Sequence, residues 1–115
     1  MSKRVFTLAT TSCGYCRMLK SQVEKDFFDV ISDKDYRYFL LDKESPTEDA
    51  KKALDTAKRF GVRGVPFTVM IEDGMVTRAV RGYSPSEVKD LIQEVIDDKK
   101  IQAGEQLELD FSEEE

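Results

Sequence analysis

The chain of 115 residues has no histidine, and its only cysteines are Cys13 and Cys16. A closed structural zinc site takes four cysteine or histidine ligands, so a single copy of this chain does not supply one. Two cysteines three residues apart also do not form the widely spaced framework of a secreted disulfide-rich domain. A close pair of this kind is typical of a catalytic or metal-binding site in a reducing compartment. We therefore expect a cytoplasmic protein.

Long hydrophobic runs are also missing. The apolar stretch from Val5 to Ala9 has the length of a strand and is followed at once by polar residues, so no secretory leader is expected. No stretch approaches the roughly 20 apolar residues that cross a membrane. The sequence thus predicts a protein that is not embedded in a membrane.

Basic residues are missing from the C-terminal end. Beyond Ile101 there are six acids and no bases, which leaves 17 acids and 18 bases before it. The formal charge of -5 therefore describes the tail, and no basic patch points to nucleic acid. We expect a domain over residues 1–100 and an acidic tail over 101–115.

Three interpretations of the tail remain open. It is a solubilising acidic segment, or an extra strand or segment that folds on the domain through Leu107, Leu109 and Phe111. Alternatively, its sequence from Gln106 to Phe111 resembles the short peptides that dock on the bacterial sliding clamp.

Periodicity and turn residues predict seven elements before this tail. A strand over Arg4–Ala9 leads through polar residues into a helix that begins near Cys13, with Cys16, Leu19, Val23, Phe27 and Val30 on its buried face. Tyr36–Leu41 is a second strand, and Phe67–Ile71 and Val76–Arg81 form a hairpin around Asp73-Gly74.

Two further helices begin at similar sequences. Ser45-Pro46-Thr47-Glu48 and Ser84-Pro85-Ser86-Glu87 each place a serine cap before a proline and a glutamate. The first helix is expected to turn Ala50, Leu54, Ala57 and Phe60 inward and to end at Gly61; the second buries Val88, Leu91, Ile92, Val95 and Ile96. With a right-handed crossover between the first two strands, the order β-α-β-α-β-β-α predicts an α/β fold. It has a four-stranded mixed sheet covered by three helices.

The cysteine pair lies where a strand passes into a helix. The first turn of a helix has unpaired N–H groups and partial positive charge, which stabilises a thiolate. Cys13 is nearer the helix end and is the expected nucleophile, while Cys16 is deeper and resolves the mixed disulfide. Two alternatives stay open: a metal or iron–sulfur cluster bridging two chains, and a pair of inert buried thiols.

The segment Thr11-Ser12-Cys13-Gly14-Tyr15-Cys16 resembles a glutaredoxin active site, and residues 3–98 resemble the glutaredoxin and thioredoxin superfamily. Arg81-Gly82-Tyr83-Ser84 is similar to the glutaredoxin segment that holds glutathione. Gly61-Val62-Arg63-Gly64-Val65-Pro66 and Asp73-Gly74-Met75-Val76 look more like thioredoxin. The resemblance implies the thioredoxin fold.

The resemblance also implies roles for individual residues. Cys13 and Cys16 are catalytic, and the substrate-binding residues are Tyr15, Val65, Pro66, Gly82, Tyr83 and Ser84. Pro66 is expected to be cis, with the Val65 backbone facing the substrate chain. Arg17, Lys20, Arg59 and Arg63 are candidates for steering an acidic partner or the carboxylates of glutathione. Thr7 stands where thioredoxins have a buried acid, so no general base for Cys16 is assigned.

The activity implied is that of a thiol–disulfide oxidoreductase that reduces protein or glutathione mixed disulfides. Glutathione is the expected co-substrate, with recycling by thioredoxin reductase as the alternative, and ribonucleotide reductase is an electron acceptor of the family type. No metal or tightly bound cofactor is expected, and the protein is expected to be a monomer. The alternatives outside catalysis are an iron–sulfur carrier bridged across a dimer and a thioredoxin-fold adaptor.

Overall fold

The computed structural model describes residues 3–27, 32 and 34–111, with side chains up to Lys99. The elements are β1 (Lys3–Ala9), α1 (Gly14–Phe27), β2 (Tyr36–Leu40), α2 (Glu48–Arg59), β3 (Phe67–Glu72), β4 (Met75–Arg81) and α3 (Pro85–Phe111). This confirms the order predicted from the sequence. Within the described ranges, no helix has both the length and the apolar composition of a membrane span.

The four strands form one sheet in the order β2-β1-β3-β4. β1 and β2 are parallel, with Val5 opposite Tyr36, and β3 is antiparallel to both β1 and β4. The β3–β4 hairpin turns at Asp73 and Gly74, where both residues have positive φ, as the Asp-Gly signal predicts. The mixed sheet and its three helices are those of the thioredoxin fold.

α1 and α3 lie on one face of the sheet, and α2 lies on the other. The core on the α1/α3 face is built from Val5, Leu19, Val23, Phe27, Tyr36, Met70, Val80, Val88, Leu91, Ile92, Val95 and Ile96. The core on the α2 face is built from Phe6, Leu8, Phe39, Ala50, Ala53, Ala57, Phe67, Val69 and Ile71. Successive strand residues alternate between the two cores, as the pleat of a strand requires. Val30, predicted to extend the buried face of α1, lies outside the described residues.

The start of α2 differs from the sequence prediction, whereas its end agrees: Phe60 is the C-cap and Gly61 follows it with a φ of 68°. Its N-cap is Thr47, whose hydroxyl accepts from the Ala50 N–H at 3.1 Å; Ser45 and Pro46 precede the cap. The serine prediction was wrong because threonine caps nearly as well and stands immediately before the helix. Phe60 was expected inside but is 61% exposed, since it follows the last helical residue. Ala53 is fully buried, although the sequence prediction did not include it.

α3 begins as predicted and ends much later. Pro85 occupies its first position, and the Ser84 hydroxyl donates to Glu87 at 2.6 Å. The backbone stays helical to Phe111, so the extra strand, one of the interpretations left open for the tail, is not formed. The side chains of the tail, and residues 112–115, lie outside the described part, and the domain boundary at residue 100 stays a prediction.

Candidate active site

Cys13 and Cys16 are joined by a disulfide at the junction between β1 and α1, and their Cα atoms are 5.2 Å apart. Cys13 immediately precedes the first residue of α1 and is partly exposed. Cys16 lies on the inner face of the helix with no exposed surface. Only Cys13 is therefore accessible to a disulfide in another molecule.

The helix start supplies a hydrogen-bond donor to the leading sulfur. The backbone N–H of Cys16 points at Cys13 Sγ, with an N···S distance of 3.0 Å. This N–H belongs to the first turn, where amides have no intrahelical partner and carry the positive end of the helix dipole. A donor in this position stabilises negative charge on the leading sulfur.

The loop before β3 faces the leading sulfur. The Val65–Pro66 peptide bond is cis, as the resemblance implied. The Val65 carbonyl oxygen lies 3.7 Å from Cys13 Sγ, although the two residues are 52 positions apart in the chain. Strand pairing begins only at Phe67, so the Val65 backbone lies just outside the sheet and beside the sulfur.

The predicted substrate segment at residues 82–84 is held next to this loop. The Gly82 N–H donates to the Pro66 carbonyl at 2.9 Å, and Gly82 has a φ of 67°. The Tyr83 ring contacts the Tyr15 ring, with centroids 5.5 Å apart, and Tyr15 is 63% exposed. The structure thus brings Tyr15, Gly82 and Tyr83 together near the disulfide, while the Ser84 hydroxyl is engaged at the start of α3.

A cluster of buried hydroxyls surrounds Thr7, the residue that stands where thioredoxins have a buried acid. The Thr7 and Thr68 hydroxyls are 2.8 Å apart, and the Tyr36 hydroxyl donates to Thr7 at 2.9 Å. Burial raises the pKa of Tyr36 to about 12. All three groups are therefore neutral near pH 7, and this cluster contributes no charge to the site.

Asp42, which no local sequence pattern singles out, holds the loop before Cys13. Asp42 follows β2 and accepts from the Thr11 N–H at 3.0 Å and from the Thr11 hydroxyl. The hydrogen bond from that hydroxyl holds the pKa of Asp42 below its ordinary value. Arg17 adds a third anchor because it donates to the Thr11 carbonyl at 2.7 Å. Nothing in the local sequence pattern pairs positions 11 and 42.

These observations agree with comparisons to known proteins. Residues 2–96 match the model of the thioredoxin-like domain. The chain belongs to the thioredoxin-like family. It is 28% identical over 94 residues to the SPbeta prophage-derived thioredoxin-like protein YosR of Bacillus subtilis, a match covering 80% of this chain and 98% of that protein.

Solved thioredoxins share the fold of this thioredoxin-like chain. A variant thioredoxin of Halobacterium salinarum is 26% identical, with a TM-score of 0.55, and the match covers 83% of this chain and 75% of that one. Fasciola hepatica thioredoxin is 20% identical, with a TM-score of 0.56 and coverage of 81% and 80%. The thioredoxin-like fold together with the Cys13–Cys16 pair supports thiol–disulfide oxidoreductase chemistry.

The basic residues predicted to steer a partner lie on two sides of this thioredoxin-like site. Lys20 lies over the Tyr38 ring, 5.2 Å from its centroid, and with Arg17 lines a hollow of about 350 Å³. Arg59 pairs with Asp55 at 3.2 Å on α2, and Arg63 is exposed before Val65. The Arg17 guanidinium is already engaged by Thr11, so its first effect is to hold the loop.

Proposed function

We propose that this protein reduces disulfides in protein substrates by dithiol exchange through Cys13 and Cys16. The observation that carries the proposal is the Cys16 N–H directed at the partly exposed Cys13 Sγ, with Cys16 fully buried behind it. The first cysteine is stabilised as a thiolate and accessible, and the second is held within reach of it. This asymmetry divides the two chemical steps between the two residues.

In the first step the Cys13 thiolate attacks one sulfur of the substrate disulfide. The substrate S–S bond breaks, a mixed disulfide forms, and the other substrate sulfur leaves as a thiolate. That thiolate is a base of suitable strength to take the proton from Cys16, which matters because the neutral Thr7 cluster offers no carboxylate. The Cys16 thiolate then attacks Cys13 Sγ, the mixed disulfide breaks, and the second substrate sulfur leaves as a thiolate that takes a proton from water. The protein ends oxidised, and two electrons pass to the substrate.

The Val65 backbone aligns the substrate chain beside Cys13. It lies beside Cys13 Sγ and ahead of the first strand pair, so an extended segment around the substrate cysteine can hydrogen-bond to it as a short strand addition. The exposed Tyr15 and its neighbour Tyr83 supply apolar contact beside the sulfur. Recognition of this kind depends on backbone and ring contacts and favours unfolded or loop segments over one fixed sequence.

Substitution of each cysteine tests the division of labour. Cys13→Ser is expected to abolish reduction of a model protein disulfide such as insulin. Cys16→Ser is expected to stop turnover after the first step and to accumulate a mixed disulfide, visible by mass spectrometry as an adduct on Cys13. Full dithiol turnover by Cys16→Ser, or an adduct found on Cys16 in the wild type, would contradict the assigned roles.

The proposal includes glutathione as the reductant of the oxidised protein. Support comes from the segment at residues 82–84, which the Gly82–Pro66 hydrogen bond keeps beside the site. Membership in the thioredoxin-like family supports the competing reductant, a thioredoxin reductase with NADPH. Insulin reduction is measured with glutathione plus glutathione reductase and, separately, with thioredoxin reductase. Activity with only the second system would exclude glutathione. Ribonucleotide reductase is then assayed as the electron acceptor with whichever system works.

A further inference from the structure

A groove of about 620 Å³ lies between α2 and the edge strand β4. Its apolar lining includes Phe60, Met75 and Ala79, of which Phe60 is 61% and Met75 is 70% exposed. We call it the α2/β4 groove. A single exposed apolar side chain is ordinary on a protein surface, but two that line the same groove form the kind of apolar patch found at contact surfaces.

The charge along the α2/β4 groove is mostly positive. Its lining includes Lys52, Arg59, Arg78 and Arg81. Arg59 pairs with Asp55 at 3.2 Å and Arg78 with Glu94 at 2.7 Å, so the net positive charge comes from Lys52 and Arg81. Two of the bases are held by neutral acceptors: Lys52 donates to the Gly74 carbonyl at 2.6 Å, and Arg81 donates to the Phe60 carbonyl at 3.0 Å. These bonds fix the position of the charge without neutralising it. The groove therefore complements an acidic segment that also carries apolar side chains.

One end of the groove adjoins the active-site loop. Phe67 and Arg81 line this end and face each other across the β3–β4 pair. Pro66 directly precedes Phe67, and its carbonyl accepts the Gly82 N–H. A chain that passes Cys13 along Val65 can thus continue into the groove without leaving the surface.

We propose that the α2/β4 groove is a second substrate subsite, which binds an acidic, apolar-containing segment of the protein whose disulfide is being reduced. The inference rests on the proposed function, since the substrate disulfide has to lie at Cys13. β4 has seven residues and rises about 3.3 Å per residue, so an extended segment of about seven residues matches its length. β4 is also the last strand of the described sheet, so its outer edge is available for backbone pairing.

Binding is measured first, without any chemistry. A labelled ten-residue peptide that lacks cysteine and alternates leucine with glutamate is titrated with the full chain by fluorescence anisotropy. Its control has lysine in place of glutamate. The acidic peptide is expected to bind roughly tenfold more tightly at low salt, because like charges repel the control. The advantage should shrink as salt is added, because exposed charges are screened.

A matched pair of variants locates the binding. Arg59→Glu reverses a charge in the groove lining, and Lys58→Glu makes the same change on the adjacent residue of α2, outside the lining. Both residues are exposed, so both variants should fold. Arg59→Glu is expected to abolish the preference for the acidic peptide, and Lys58→Glu should keep most of it. Equal affinity for the two peptides, or equal losses in the two variants, would overturn the proposal.

A kinetic assay then distinguishes the subsite in the α2/β4 groove from disulfide reduction at Cys13. The same two sequences are joined to a disulfide-bonded cysteine. The acidic substrate should have the lower KM with unchanged kcat, and Arg59→Glu should remove this difference in KM while Lys58→Glu keeps most of it. If no disulfide is reduced, the proposed function fails, while peptide binding still decides the subsite. Self-association of the full chain that Arg59→Glu abolishes would assign the groove to the acidic tail of a second copy and overturn the substrate proposal.

Discussion

The two faces of the sheet are covered by different means. On the α1/α3 face, two helices bury leucine, isoleucine, valine and phenylalanine side chains of full size. On the α2 face, one helix presents three buried alanines, Ala50, Ala53 and Ala57, so it lies close to the strands but spans little of their width. The difference shows how one sheet combines a closed face that stabilises the fold with an open face that leaves the α2/β4 groove.

The position of the cysteines follows from the same arrangement. α1 belongs to the closed face, so Cys16 is buried together with Leu19 and Val23 on its inner side. Packing of this side sets the rotation of the helix, and with it the direction of the first-turn N–H groups toward Cys13. Stability of the closed face and geometry of the site are therefore linked.

Leu19→Ala should produce the largest loss of stability because it opens a cavity in the closed face. Leu19 is fully buried, and the free energy of unfolding should fall by about 2–5 kcal/mol. Urea denaturation measures it. Met18→Ala on the same helix is the control, since Met18 is 50% exposed and should change stability by less than about 0.5 kcal/mol. Similar losses in the two variants would show that α1 is not packed as described.

Ala53→Leu tests the close approach of α2. Ala53 has no exposed surface, and a leucine there should force α2 away from the strands at a cost of about 1–3 kcal/mol in the free energy of unfolding, measured by urea denaturation. Lys51→Leu, at an exposed position of α2, is the control. If Ala53→Leu were as stable as the wild type, there would be unfilled space between α2 and the strands, and α2 would not be closely packed on the sheet.

Lys99→Gln should have the smallest effect. Lys99 on α3 donates to Asp35 ahead of β2 at 2.9 Å. Burial alone raises the pKa of Asp35, but hydrogen bonds from Lys99 and Ser32 outweigh it and lower the pKa. Because Lys99 is half exposed, the loss at pH 7 should be at most about 1 kcal/mol.

The stabilisation by the Lys99–Asp35 ion pair should depend on pH, because it requires the ionised Asp35 carboxylate. A lowered pKa means that the stabilisation is complete above the unfolded value of about 3.9 and disappears as pH falls through the folded value. The difference between wild type and Lys99→Gln, measured by thermal denaturation, should therefore vanish in acid. A difference that grows below pH 4 would contradict the role of the Asp35 carboxylate.

Local signals predicted the fold with few errors. The 3.6-residue period identified the buried residues of α1 and α3, and Asp73-Gly74 located the hairpin, because each depends on neighbours in the chain. Errors arose where two local choices were nearly equal. Ser45 and Thr47 are both good caps, and whether Phe60 lies inside depends on where the last turn of α2 stops.

The candidate site was predictable only in part. Cys13 and Cys16 were identified because their spacing and their place at a strand–helix junction are visible locally. The hydrogen bonds between Asp42 and Thr11 could not be predicted, since neither residue stands out in sequence. The α2/β4 groove was also missed, because the space beside a helix depends on how far it lies from the strands.

The sequence by itself determined which segments up to residue 100 become strands and helices, and that a cysteine pair begins the first helix. Capping, periodicity and turn residues act over a few positions, so these features do not need the rest of the molecule. Only the tertiary structure decided what meets Cys13: the Val65 carbonyl, 52 residues away, and the aromatic pair of Tyr15 with Tyr83. Those contacts depend on sheet register and helix packing, which the whole chain settles together through burial of its two cores.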